Sequence, residues 1–217
     1  MDHPGRSFPI PQNPAFFEIR SPDVWGDFGP ILMGGFSAER DGHGALLLKR
    51  TGPFVPPISM ACGYELVITD EFRRILEESP LTGLAFRPVI KHHIAEFHWE
   101  QWDRNGEMGD VPPDLNEPED IILTFPHSEQ ASQAMGPLWE AWAEPLVDVE
   151  IVNERHVSPW RTRYDLLIVD PPPARLDFFR SKNKNWVFAS ARAKKWLQDN
   201  APHWLRFEPV ISSSGPK

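Results

Sequence analysis

The chain has 217 residues with 31 acidic and 22 basic side chains, a formal net charge of -9, 24 prolines, 9 tryptophans and one cysteine. A single Cys62 excludes an internal disulfide and a cysteine-built zinc site, and the proline share argues against a helical bundle. So many tryptophans argue for a packed core, and with no secretory leader and no apolar run long enough to cross a bilayer, a soluble protein of a reducing cytoplasm is expected.

Met1 to Pro14 holds four prolines and reads as an extended arm. Phe16 to Ile19 begins the first strand, Gly26 to Gly44 reads as glycine-rich turns, and Ala45 to Lys49 is a short strand broken by Pro53 to Pro57. Gly63 to Val89 is a clearer unit. Tyr64 to Ile68 predicts a strand, and Thr69 or Asp70 a helix N-cap. Phe72, Ile75 and Leu76 supply a helical stripe that stops near Ser79-Pro80, and Leu84 to Val89 is a second strand.

The same pattern recurs later. Asn185 to Ala189 reads as a strand, Ser190 as an N-cap, and Ala193, Trp196 and Leu197 as a helical stripe, before Leu205 to Val210 closes the unit. Matching Val67 with Val187, and Phe86-Arg87-Pro88-Val89 with Phe207-Glu208-Pro209-Val210, leaves one extra residue in the second loop and predicts an internal duplication.

Between the two units the charge is lopsided. From Ile94 to Glu154 there are fifteen acidic residues and a single basic one, Arg104. Pro137 to Trp142, with Leu138, Trp139 and Trp142, reads as a short core helix. Trp139, Trp142, Trp186 and Trp196 are all predicted to be core.

Leu176-Asp177-Phe178-Phe179-Arg180, followed by a strand, a helix and a closing strand, resembles an element of bacterial polymorphic-toxin immunity proteins. The relatives concerned carry a duplicated Cys-x-x-Cys-Gly motif, and Gly63 to Val89 resembles the earlier copy of that element. This chain lacks the cysteines, so the zinc knuckles of those relatives do not carry over. What the resemblance implies is a cytoplasmic protein that neutralises a cognate toxin, encoded by the adjacent gene, through direct protein binding.

A different chemistry is suggested by His92-His93-Ile94-Ala95-Glu96-Phe97-His98-Trp99-Glu100. Read as a strand, it places Glu96, His98 and Glu100 on one face, and His92, His93, His98 and Glu100 are the candidate ligands of a metal-dependent enzyme. No nucleophile elbow, phosphate loop or dinucleotide fingerprint is present. The basic cluster Arg180, Lys182, Lys184, Arg192, Lys194 and Lys195 is set against an acidic whole, which disfavours nucleic acid.

The reading is an α+β protein with two similar β-α-β units bracketing an acidic, tryptophan-rich middle. Its stretches are 1–93, 94–154 and 155–217, within one compact domain. It is expected to bind a partner protein without catalysis or cofactor. The partner surface is placed on Asp103, Glu107, Asp110, Asp114, Glu117, Glu119 and Asp120, around the proline-broken stretch Gly109 to Pro118, which reads as a surface loop.

Overall fold

The computed structural model describes residues 14–213 apart from 38, 62, 63, 114, 116, 159 and 160, so the predicted N-terminal arm, Cys62 and Asp114 lie outside the described residues. Along the chain come β1 (Phe16–Arg20), α1 (Phe28–Gly34), β2 (Leu46–Gly52), β3 (Ile58–Ala61), β4 (Glu65–Thr69), α2 (Asp70–Glu77) and β5 (Leu84–Glu96). After a 3-10 turn at Trp99–Gln101 follow α3 (Asp120–Thr124), α4 (Glu129–Ala134), β6 (Leu138–Ala143), β7 (Pro145–Val147), β8 (Val149–Ser158) and β9 (Arg161–Ile168). The chain continues through β10 (Phe178–Ser181), β11 (Val187–Ser190), α5 (Ala191–Asn200) and β12 (Arg206–Ser212). The protein is α+β, and among the described residues no helix is long and apolar enough to cross a membrane.

Two mixed sheets result, one in the order β2-β5-β6-β4-β3 and one in the order β7-β10-β11-β1-β12-β9-β8. In the first, β6 runs antiparallel to both β4 and β5, which α2 connects. In the second, β1 runs antiparallel to both β11 and β12, which α5 connects. The three sequence stretches therefore interleave. Phe16–Arg20 is central to the sheet built largely from 155–217, and Leu138–Ala143 is central to the sheet built from 1–93.

The registers of the two sheets agree strand by strand. Thr69 opposes Leu138 as Ser190 opposes Phe16, and Val67 opposes Glu140 as Phe188 opposes Glu18. On the other side, Arg87 and Pro88 oppose Glu140 and Trp139, as Glu208 and Pro209 oppose Glu18 and Phe17. Outer partners follow suit. Antiparallel β3 and β10 flank β4 and β11, and parallel β2 and β9 flank β5 and β12. From Val67 to Pro88 one spacing holds, so Val67 matches Phe188 rather than Val187 and the second loop holds no extra residue, whereas the outer strands sit one residue off that spacing, with Ser59 opposite Val67 matching Phe179 opposite Phe188.

Local chemistry explains the helix starts. The Thr69 hydroxyl accepts from the Phe72 amide at 3.3 Å, and the Ser190 hydroxyl accepts from the Ala193 amide at 3.1 Å. Each satisfies one of the amides that a helix N-terminus leaves without a partner. The cap residues are themselves held alike, by Thr69 N–H to Pro57 O and Ser190 N–H to Asp177 O. Phe72 and Leu76 of α2 and Ala193 and Leu197 of α5 enter one core shared by both sheets, joined by Ile19, Ile68, Phe178 and Val187. Ile75 departs from the predicted stripe and is 40% exposed.

Pro137 to Trp142 is not helical. Leu138–Ala143 is the central strand β6, because its edges satisfy β4 and β5 at once and its aromatic residues suit a pleated surface. Of the four tryptophans predicted as core, Trp186 is buried, whereas Trp139, Trp142 and Trp196 are half-buried. A separate aromatic cluster gathers Leu32, Trp99 and Ile121 with Trp25, Phe54, Trp102 and Trp204.

Candidate functional site

The acidic residues between Trp102 and Asp120 lie on a long connection pinned over the aromatic cluster. The Trp25 indole N–H donates to Asp103 O at 3.1 Å, and Trp102 packs on Gly109, where any Cβ would collide with its ring. The Asp103 carboxylate closes a turn by accepting from the Asn105 amide at 2.9 Å, and the Asp120 carboxylate accepts from the Glu117 amide at 3.1 Å. Asp103, Glu107, Asp110 and Glu117 are exposed, and Glu119 and Asp120 are half-buried.

Arg104, the segment's lone cation, turns inward. Its guanidinium lies 4.0 Å from the centre of the Trp204 ring and donates to His203 O at 2.5 Å. It therefore leaves the loop's outer face uncompensated. The fifteen carboxylates of 94–154 do not all face solvent, however, because Glu140 is wholly buried.

The histidine-rich stretch does not gather into a metal centre. β5 ends at Glu96 and the chain turns at Trp99–Gln101, so the predicted strand face stops short of His98 and Glu100. His92 is exposed at a register shift of β5 against β2, and His93 Nε2 lies 3.0 Å from Phe125 O. His98 Nδ1 is 2.9 Å from Glu100, and His98 Nε2 is 3.6 Å from Glu96. Hydrogen bonding to Glu100, helped by Glu96, raises the His98 pKa above its ordinary value. Among the described residues, no three His, Cys, Asp or Glu side chains group as metal ligands.

Sequence reasoning missed a cluster built around β6. Arg40 holds the buried Glu140 carboxylate with two hydrogen bonds and lies 3.9 Å from Glu65. The guanidiniums of Arg87, Arg180 and Arg40 stand 4.1, 4.4 and 5.6 Å from the centre of the Trp142 ring. Burial pushes the Glu65 carboxyl up to about 7, against the opposing pull of Arg180 and Arg40. Three buried atoms here, Glu65 Oε2, Trp142 Nε1 and Arg180 Nε, have no hydrogen-bond partner among the described residues.

The other sheet carries a related cluster at the matching place on β1. Glu18, 1% exposed, pairs with Arg20 at 2.9 Å. Nearby, Arg163 and Arg206 both reach Asp23 and Glu208. The signal for both clusters is one glutamate within an apolar central strand, in Phe-Phe-Glu-Ile and in Leu-Trp-Glu-Ala.

Asp177 and Arg180, the polar members of the Asp-Phe-Phe-Arg motif, hold elements together. The Asp177 carboxylate accepts from the Thr82 amide at 2.9 Å, from Ser190 Oγ at 2.7 Å and from Arg192 at 2.9 and 2.5 Å. Burial would raise its pKa, but the bonds from Arg192, Ser190 and Thr82 hold it below the usual carboxylate range. It ties the N-terminus of α5 to the loop after α2, and Arg180 reaches from β10 to Trp142 of the other sheet.

Comparison with known proteins gives no relative. No family model, curated protein or solved structure matches the chain.

Proposed function

We propose that the protein is an inhibitor of the immunity type, which works in the cytoplasm by binding a cognate bacterial toxin directly and carries out no catalysis of its own. The observation that supports this reading is the loop from Trp102 to Asp120. Its backbone is anchored by Trp25, Trp102 and the inward-turned Arg104, while Asp103, Glu107, Asp110 and Glu117 face solvent. An ordered carboxylate surface loses little freedom when a basic partner docks, and its field speeds encounter. The partner is the product of the adjacent gene. The test is co-expression of the two, with co-purification and relief of growth arrest as readouts. In the triple amide variant of Glu107, Asp110 and Glu117, association should slow and lose salt dependence while thermal melting stays unchanged. Unaltered association of that variant would remove the loop as the docking face.

We infer further that the chain contains an internal duplication, with one strand traded in sequence order. One copy is β2 to β6, and the other is β9 to β12 completed by β1, so that β1 and β6 are counterparts. The support is the shared register, the paired caps Thr69 and Ser190, and the buried glutamates Glu18 and Glu140. On this reading the tryptophan-rich middle is the central strand and capping loop of the first copy. A permuted chain beginning at Pro22, with residues 14–21 joined after Ser213, should unfold cooperatively with the parent's secondary structure. Loss of cooperative unfolding in that permutant would argue against the trade.

A further inference from the structure

A groove of about 520 Å³ opens beside α5, between the segment after β1 and the turn before β12. Asp23, Arg104, Lys194, Gln198, His203 and Arg206 supply its polar lining, and Leu205 and Phe207 supply apolar walls. Its volume falls within the range of small-molecule sites.

The charge of this lining is opposite to that of the protein. Three permanent cations face a single carboxylate, in a chain whose net charge is -9. Several arginines elsewhere are matched by acids, although the buried Arg50 has backbone carbonyls instead and Arg87 and Arg180 stack on Trp142. Arg40 has Glu140, Arg73 has Asp70 and Glu77, and Arg192 has Asp177.

The groove is different. Among the described residues Arg104 has the His203 carbonyl and the Trp204 ring as partners, and burial lowers its pKa. The Lys194 ammonium sits 3.9 Å from the centre of the Phe17 ring with no carboxylate partner among the described residues. Arg206 is paired to Asp23 and lies 3.5 Å from Glu208, and its buried Nε has no hydrogen-bond partner among the described residues. Arg163 stands behind this pair, 3.4 Å from Asp23.

Holding cations together without counter-ions is unfavourable unless an anion joins them. What sets the groove apart is that Arg104 and Lys194, neither with a carboxylate partner among the described residues, line one open cavity together with Arg206, where an external anion can reach all three. We propose that this groove is a binding site for a phosphate-bearing small molecule. Two features favour phosphate over a single carboxylate. The three cations against Asp23 leave an excess charge of about two, which a phosphate monoester matches near neutral pH. The donors also come from three separate segments, which suits an oxyanion accepting from several directions rather than one planar fork. The Asn105 and Gln198 amides extend the polar wall for the rest of such a molecule.

Titration calorimetry of the full chain tests this, with pyrophosphate and phosphoserine as probes and succinate as a dicarboxylate control. Pyrophosphate should bind saturably at one site. Lys194→Gln should weaken it at least ten-fold with an unchanged melting midpoint. Gln198→Glu, which leaves all three cations in place and adds a carboxylate to the wall, should weaken it similarly and serves if Lys194→Gln fails to fold. No saturable heat with either phosphate probe, equal affinity in the folded variants, or succinate binding as tightly as pyrophosphate would each overturn the assignment.

Discussion

Arg40 donates hydrogen bonds of 2.8 and 2.6 Å to the carboxylate of Glu140, a side chain with no exposure to solvent. A buried ion pair is costly to form and more costly to break on one side only. Arg40→Ala should therefore destabilise the protein by about 3–5 kcal/mol in urea unfolding. The double variant Arg40→Ala with Glu140→Leu should recover most of that loss. If the two substitutions add instead, Glu140 has other partners strong enough to hold its charge.

Glu65 makes stability depend on pH. Its folded-state pKa of about 7 lies above the ordinary 4.5, so between those values the folded chain keeps a proton that the unfolded chain has released. This contribution to stability is present below about pH 4.5 and declines as pH rises towards 7. Glu65→Gln should flatten that part of the profile of melting midpoint against pH. A variant profile with the parent's slope would assign the dependence to another group.

The two helix caps should not be equal. Thr69→Ala removes one cap bond and should cost about 1 kcal/mol. Ser190→Ala removes its cap bond and also the 2.7 Å bond to Asp177, so its loss should be about twice as large. Chemical denaturation of both variants checks the order, and equal losses would show that the Ser190–Asp177 bond contributes nothing net.

The tryptophans should divide by environment. Trp186→Ala, at a site 4% exposed and packed in the second core with Phe179 and Phe188, should cost about 3–5 kcal/mol. Trp196→Ala, half-buried on Phe72 at 6.0 Å between ring centres, should cost less. Thermal melts of the two variants give the comparison, and the reverse order would contradict the packing described.

Elements whose residues carry their own instructions were readable in sequence. The apolar runs of β1, β2, β4 and β11, and the caps Thr69 and Ser190, state strand and helix locally. In sequence β6 reads as a helix because Leu138, Trp139 and Trp142 imitate helical spacing. On the strand, Trp139, Ala141 and Ala143 instead form the face that meets the helices. Helix α1 was hidden among glycines, two of which, Gly29 and Gly34, touch neighbouring backbone so closely that no side chain fits. The arginine cluster on Trp142 is not legible in sequence, since Arg40 of the connection before β2, Arg87 of β5 and Arg180 of β10 are united only in the folded chain.

The position of β1 also has a consequence in time. Phe16 pairs with Ser190 on one side and Val210 on the other, so the strand synthesised first has neighbours synthesised last. The five-stranded sheet can close once Ala143 has left the ribosome, but the apolar Phe16, Phe17 and Ile19 must wait for almost the whole chain. Through that interval both edges of the strand are open, the condition under which strands pair with the wrong chain. Slow elongation past Ser158 should therefore lower the yield of soluble protein more than the same delay near Val210, when both neighbours are about to arrive.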